Sequence, residues 1–267
     1  KLAESEEYCK RLKELGVNTI YLSFDGVTED SDPWVEQHKE AVENLRKVGL
    51  GVVLVPTVIK DMNLDELGDI IKYAKENVDI VRGVNFQPVS FTGRITNITK
   101  EDRENGRVDY ATMLKKIEED LDGQIKVDDW YPVPFVLPIS RLIQNLKDEK
   151  QVEFTPSSKC GGATYAFVKG DELIPITRFV DVEGLIKLVD ELSEKDGLLR
   201  KAKIAFYLAK DASNYIDEEK SPEKIDMDSL IVDAITGGNY GSLGKFHTKS
   251  LFLGPMWFQK AWNISMD

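Results

Sequence analysis

With 267 residues, 42% hydrophobic and 31% charged, and a net charge of −12, the chain has the composition of a globular protein with one substantial core. The acidic balance argues against a general nucleic-acid-binding surface and against a polybasic membrane patch. No run reaches the roughly 18 apolar residues of a membrane span, and no charged stretch leads into the apolar core of a signal peptide.

In chain order, residues 1–16 read as an amphipathic helix already under way, ended by Gly16, a common choice after a helix. "VNTIYLSFDG" follows as a strand. "WVEQHKEAVENLRKVG" sets Val35, Ala41, Val42, Leu45 and Val48 near one helical face and stops at Gly49. "LGVVLVPTVIK" is a second, almost wholly apolar strand, "LDELGDIIKYAKEN" a helix and "IVRGVNFQPVSF" a third strand. Strand starts fall roughly 30 residues apart, the length of a β–α–β unit. Such strands belong to a parallel sheet covered on both faces, in either a doubly wound sheet or part of a (β/α) barrel.

After Arg94 the rhythm stops. "TNITKEDRENGR" reads as a polar surface loop, "DYATMLKKIEEDLDG" as a helix and "DDWYPVPFVLP" as an extended, Pro-punctuated segment. Pro138 suits the first turn of "ISRLIQNLK". Two β-rich runs around Lys169-Gly170-Asp171 predict a hairpin, and "DVEGLIKLVDELSEK" and "LLRKAKIAFYLAKDASNYI" predict helices. A last helix near 229–235, the Gly-rich "TGGNYGSLGKF" and the aromatic "LFLGPMWFQKAW" close the chain. The expected division is a β/α core over 1–98, a helical and Pro-rich insertion over 99–160, and a hairpin plus helical region over 161–267.

Each strand meets polar residues near its C-terminal end: Ser23 and Asp25, then Thr57, then Asn85, Gln87 and Ser90. That edge holds the ligand in barrels and open α/β sheets alike. Asp25 alone reads more readily as a turn cap. Three adjacent strands sharing the feature favour a small-molecule site with several hydrogen-bonding groups and one carboxylate. Arg94, after Gly93, is either a cation for a carboxylate or phosphate or a solvated loop residue. Cys160 precedes two glycines that let backbone approach a ligand, but one thiol does not make a metal site. With Cys9 it offers no disulfide framework and suits a reducing cytoplasm. His38, on a charged helix, reads as solvated; His247, beside Gly-rich and aromatic sequence, is the better site candidate. The apolar residues from Leu251 to Trp262 read as core, with a lipid channel as the alternative.

The runs "GVNTIYLSFDGV", "GLGVVLVPTVIK", "VRGVNFQPVSFTGR", "WYPVPFVLPIS", "CGGATYAF" and "IPITRFVDVEGL" resemble radical S-adenosylmethionine proteins of the tetraether-lipid-synthase-like group, which includes pterin-methylating relatives. The similarity is strongest over residues 8–190. It implies a partial (β/α) barrel, N-terminally truncated here, followed by a mixed α+β C-terminal region. It also implies a [4Fe-4S] cluster on a Cys-x3-Cys-x2-Cys loop, and S-adenosylmethionine cleaved to a 5′-deoxyadenosyl radical. The chemistry implied is C–C bond formation or methylation on a lipid or other unactivated substrate, fed by an electron donor, in the cytoplasm or at the membrane surface. By the same resemblance Ser23, Asp25, Thr57, Asn85, Gln87 and Arg94 bind the cofactor, and Cys160 serves an auxiliary iron–sulfur centre. Two departures stand against the family pattern. The cysteine triplet is absent, so the first two β/α units are expected before Lys1, and Phe135 occupies a position that is commonly a cysteine in the family. Two other readings remain: an iron-free (β/α)-barrel enzyme using Asp25 on a small metabolite, and a non-catalytic nucleoside-binding module.

Overall fold

A computed structural model of the chain describes residues 1–91, 99–153, 155–222 and 249–257. Arg94, His247, the helix expected near 229–235 and the Gly-rich run after it lie outside the described residues.

Helix α1 (Glu6–Glu14) begins where the Ser5 hydroxyl oxygen accepts the Tyr8 N–H at 3.1 Å, and it turns Cys9 into the core. Strand β1 (Thr19–Ser23) leads to α2 (Val35–Val48), which ends at Gly49 in the left-handed conformation, φ 65°. The second expected strand is split: β2 (Gly51–Val55) stops at Pro56, and β3 (Thr57–Val58) resumes beyond it. Proline has no N–H to give the ladder. After α3 (Leu67–Glu76), the third expected strand is likewise two pieces, β4 (Val81–Val84) and β5 (Gln87–Pro88), with β5 pairing β3.

The polar stretch expected as a loop contains a helix, α4 (Lys100–Asn105). Its sequence has no apolar period to reveal it. A reciprocal capping box starts it: the Thr99 hydroxyl oxygen accepts the Asp102 N–H at 3.0 Å, and the Asp102 carboxylate accepts the Thr99 N–H at 2.8 Å. The Thr99 hydroxyl also donates to that carboxylate, and these bonds hold the Asp102 carboxyl below its ordinary 3.8. A carboxyl with a lowered folded-state pKa stabilises fully above its unfolded value and stops doing so as pH falls through the folded one. Protection of the α4 amides relative to their intrinsic exchange rates should therefore fall on acidification below 3.8, and Thr99→Ala should abolish most of that pH dependence.

Next come α5 (Tyr110–Asp120), β6 (Tyr131–Pro132) and α6 (Leu137–Lys147), with Pro138 in the first turn of α6. β7 (Gly162–Lys169) and β8 (Glu172–Pro175) form the expected hairpin, and α7 (Val182–Ser193) and α8 (Arg200–Asp211) follow. The run expected to be a core-packed aromatic tail supplies a strand, β9 (Ser250–Leu253).

The main sheet runs β1-β2-β4-β9-β7-β6, with β8 beside β7. β1, β2, β4 and β9 are parallel, and β7 is antiparallel to β9. Leu22, Leu54, Val84 and Leu253 are register partners on one face, where they join α2, α3 and α5 in a single apolar core. Phe24 and Phe86 lie fully buried in it, each contributing roughly 1.5–3 kcal/mol. Cover on both faces was the expectation. β2 meets it, buried on both faces, whereas on β1, the edge strand among the described residues, Tyr21 is 69% exposed and Ser23 also exposed. Among the described residues the sheet is open, with β1 at one edge, and no described helix is long and apolar enough to cross a membrane.

Candidate functional site

Side chains alternate between faces along a strand, so the register sorts the second face of the sheet into three cross-strand rows. The lowest row is Tyr21, Val53, Gly83, Phe252 and Tyr165. Two residues further on come Ser23 and Val55, then Asn85 and Gly254, whose backbone N–H groups carry the pairing past β4 at 2.8 and 2.9 Å. The top row is Asp25, Thr57, Gln87 and Met256, closed on its far side by Gly161. Polarity therefore rises toward the C-terminal ends of the parallel strands, and it is concentrated on β1 to β5.

The three sequence candidates Asp25, Thr57 and Gln87 do meet. The Asp25 Oδ1 accepts the Thr57 N–H at 2.7 Å, and Thr57 is the register partner of Gln87. Asp25 is thus both a turn cap and a rim residue: one carboxylate oxygen closes β1 onto β3, and the other has no partner among the described residues. The side chains of Ser23, Thr57, Asn85 and Gln87 likewise have no hydrogen-bond partner among the described residues. A few convergent polar groups beside apolar walls, at the C-terminal ends of parallel strands, are what a ligand site in an α/β sheet presents.

Behind the rim, polar residues fix the loop after β1. Glu66 accepts the Val27 N–H at 2.7 Å and the hydroxyls of Thr28 and Ser31 at 2.8 Å each. Gly26 fits only as glycine there, since a Cβ would lie 1.8 Å from the Ser31 Oγ and 2.7 Å from the Glu66 Oε2. His38, expected in solvent, instead donates from Nδ1 to the buried Asp32 at 2.7 Å and lies 6.2 Å from the Phe24 ring. A charged helix pattern conceals this contact because its partner sits in the preceding loop. Asp32, Asn63 and Glu66 were missed for the same reason: each looks like ordinary loop or helix-start polarity until the loops are folded together.

Toward β9 and β7 the face becomes aromatic. The Phe252 and Tyr165 rings meet edge to face at 5.5 Å, and burial raises the Tyr165 phenol pKa. The Phe252 ring lies over Gly254, where a Cβ would be 2.7 Å from Cε1 and 3.7 Å from the Asn85 Oδ1. Cys160 is on this rim too. Its carbonyl accepts the Trp257 N–H at 2.7 Å, and the adjacent Gly161 bridges to Met256. Among the described residues no group of three His, Cys, Asp or Glu side chains is arranged to hold a metal.

A parallel α/β sheet with a polar row at its C-terminal edge defines the class, and residues 2–74 match the model of the Radical SAM superfamily. Over those residues the chain is similar to members of that superfamily. It is 39% identical over 273 residues to 7,8-dihydro-6-hydroxymethylpterin dimethyltransferase of Methanocaldococcus jannaschii, an alignment covering 97% of this chain and 53% of the relative. The chain therefore spans about half the length of the curated relative it matches.

Proposed function

We propose that this chain supplies the S-adenosylmethionine-facing and substrate-facing surface of a radical S-adenosylmethionine enzyme that methylates a planar heterocycle of the pterin kind. The observation that carries the reading is the row of polar side chains, unpartnered among the described residues, at the C-terminal ends of β1, β2 and β4. Helices on one face of a parallel sheet, with the second face of β1 exposed among the described residues, support an arc of a (β/α) barrel. The relative's name supports methyl transfer to a pterin over C–C coupling on a lipid.

The residues present fit one cofactor and not the other. No Cys-x3-Cys-x2-Cys occurs in the chain, and the described residues hold no cluster-type ligand group. S-adenosylmethionine suits the polar row, which offers hydroxyl and amide groups and one free carboxylate oxygen for its ribose, amino and carboxylate groups. When bound, it supplies the reactive carbon chemistry of the family. Ser23, Asp25 and Thr57 would hold it from β1 and β3, Asn85 and Gln87 from β4 and β5, and Arg94 would meet its carboxylate. The Phe252 and Tyr165 rings would form an apolar wall that keeps water from a flat substrate and orients its plane.

The test uses the complete protein, reconstituted with iron and sulfide without oxygen and given reductant, S-adenosylmethionine and a hydroxymethylpterin. Methylated pterin is the expected product. Asn85→Ala with Gln87→Ala should weaken S-adenosylmethionine binding by about tenfold or more, as expected for two lost hydrogen bonds. Unchanged affinity in that double variant would remove the polar row from the site. Turnover in air without iron would favour an iron-free enzyme, and binding without any cleavage would favour a non-catalytic module.

A further inference from the structure

Asp25 has four polar atoms, and three of them are held by the protein. Its N–H donates to the Asp32 Oδ2 at 3.1 Å, its carbonyl accepts from the Asn63 Nδ2 at 2.6 Å, and its Oδ1 accepts the Thr57 N–H at 2.7 Å. The two residues behind it are fully committed. Asn63 is 1% exposed; its amide donates to the carbonyls of both Asp25 and Thr57, the latter at 2.8 Å, and its Oδ1 accepts the Ile59 N–H at 2.8 Å. Asp32 is 2% exposed and accepts from the Trp34 N–H at 3.0 Å and the His38 Nδ1 at 2.7 Å as well as from Asp25.

These contacts sit where β1 parts from β2. The last ladder pair is Ser23 with Val55, and the bond beyond it, from the Phe24 N–H to the Val55 carbonyl, is stretched to 3.4 Å. From there on, side chains replace the ladder. The Asn63 amide ties two carbonyls from different strands, and the Asp25 carboxylate ties the Thr57 N–H, so the ends of β1 and β3 are held at one spacing and the Asp25 side chain in one rotamer.

We propose that Asn63 and Asp32 are positioning residues that preorganise Asp25, leaving its Oδ2 alone to face the rim as a fixed acceptor for a donor group of the bound ligand. The inference rests on the reading of the polar row as the S-adenosylmethionine site. A carboxylate already locked in its bound rotamer loses no further freedom on binding, which is the source of the affinity. His38 acts one step further back, through Asp32.

The test is a double-mutant cycle on S-adenosylmethionine affinity, measured by calorimetry on the complete protein. The variants are Asp25→Ala, Asn63→Asp, Asp32→Asn and the two doubles that combine Asp25→Ala with each of the others. Asn63→Asp keeps the shape and the acceptor to Ile59 while replacing the amide donors with a carboxylate oxygen that faces two carbonyls. Each single change is expected to weaken binding about tenfold. Each double should bind no more weakly than Asp25→Ala alone, because no carboxylate is left to orient; losses from a merely structural role would multiply instead. If Asp25→Ala binds like the unaltered protein, the reading of the polar row has failed and the inference falls with it. If Asp25→Ala weakens binding but the other singles do not, or if the doubles multiply, the inference alone is overturned. The Asp32→Asn arm keeps the cycle decisive should Asn63→Asp fail to fold.

Discussion

Gly83→Ala is expected to destabilise the protein by about 3 kcal/mol or more, at the upper end of overpacking effects. A Cβ on residue 83 would lie 2.2 Å from the Phe252 carbonyl oxygen and 2.9 Å from the Phe252 Cβ. Neither of those atoms can swing aside as the end of a flexible side chain would. Gly83 is paired with Phe252 in the β4–β9 ladder, so relief requires the two strands to separate. That separation breaks the sheet between its first three parallel strands and β9, and it removes the aromatic wall from the polar row. Thermal unfolding should fall by on the order of 10 °C, and fluorescence or exchange should report loss of order at β9 before loss at β1. A melting point within about a degree of the unaltered protein would show that β9 does not pack here.

Phe86→Ala is expected to cost about 3–5 kcal/mol, the usual range for deleting a fully buried aromatic side chain. Phe86 is 0% exposed, in the same core as Leu54, Val84 and Leu253. Its backbone carbonyl also accepts the Met256 N–H at 2.9 Å, which holds the segment following β9 against the end of β4. Its neighbours Asn85 and Gln87 point to the opposite face. Removing the anchor on the core side therefore loosens both amides on the site side. Chemical denaturation should show the lost stability, and S-adenosylmethionine affinity should fall with it even under conditions where the variant is fully folded. Full affinity in the folded variant would mean that the positions of the two amides do not depend on this anchor.

How much of this was readable in the amino-acid sequence follows the range of the interactions involved. β1, α2, β2 and α3 were legible because each carries its own period and its own stop signal, Gly49 among them. The edge on which Ser23, Asp25, Thr57, Asn85 and Gln87 gather was legible for the same reason: polar residues at the ends of three apolar runs fall together once the runs are parallel neighbours. β9 was not. Its four residues are too few for an alternating pattern, they are followed directly by Gly254 and Pro255, and the partner strand β4 lies far back in the chain. α4 was hidden by polarity on all sides and is marked only by the Thr99–Asp102 box. The residues behind Asp25 were invisible in a different way. Asn63 reaches Asp25 across a sequence separation of 38, and nothing in "KDMNLDEL" distinguishes an amide with that task from one at an ordinary helix start. The expectation of cover on both sheet faces holds for β2, where Val52, Val53 and Leu54 are all buried, and fails at β1, the edge strand among the described residues.

The side chains at the C-terminal ends of three successive β-segments are proposed to grip the nucleoside cofactor. A crystal structure of the complete protein soaked with S-adenosylmethionine addresses this directly. The cofactor should lie against the C-terminal ends of β1, β2 and β4, with a donor group on the Asp25 Oδ2 and contacts to Asn85 or Gln87. Density for the cofactor on the helix-covered face, or at the opposite end of the strands, would contradict it.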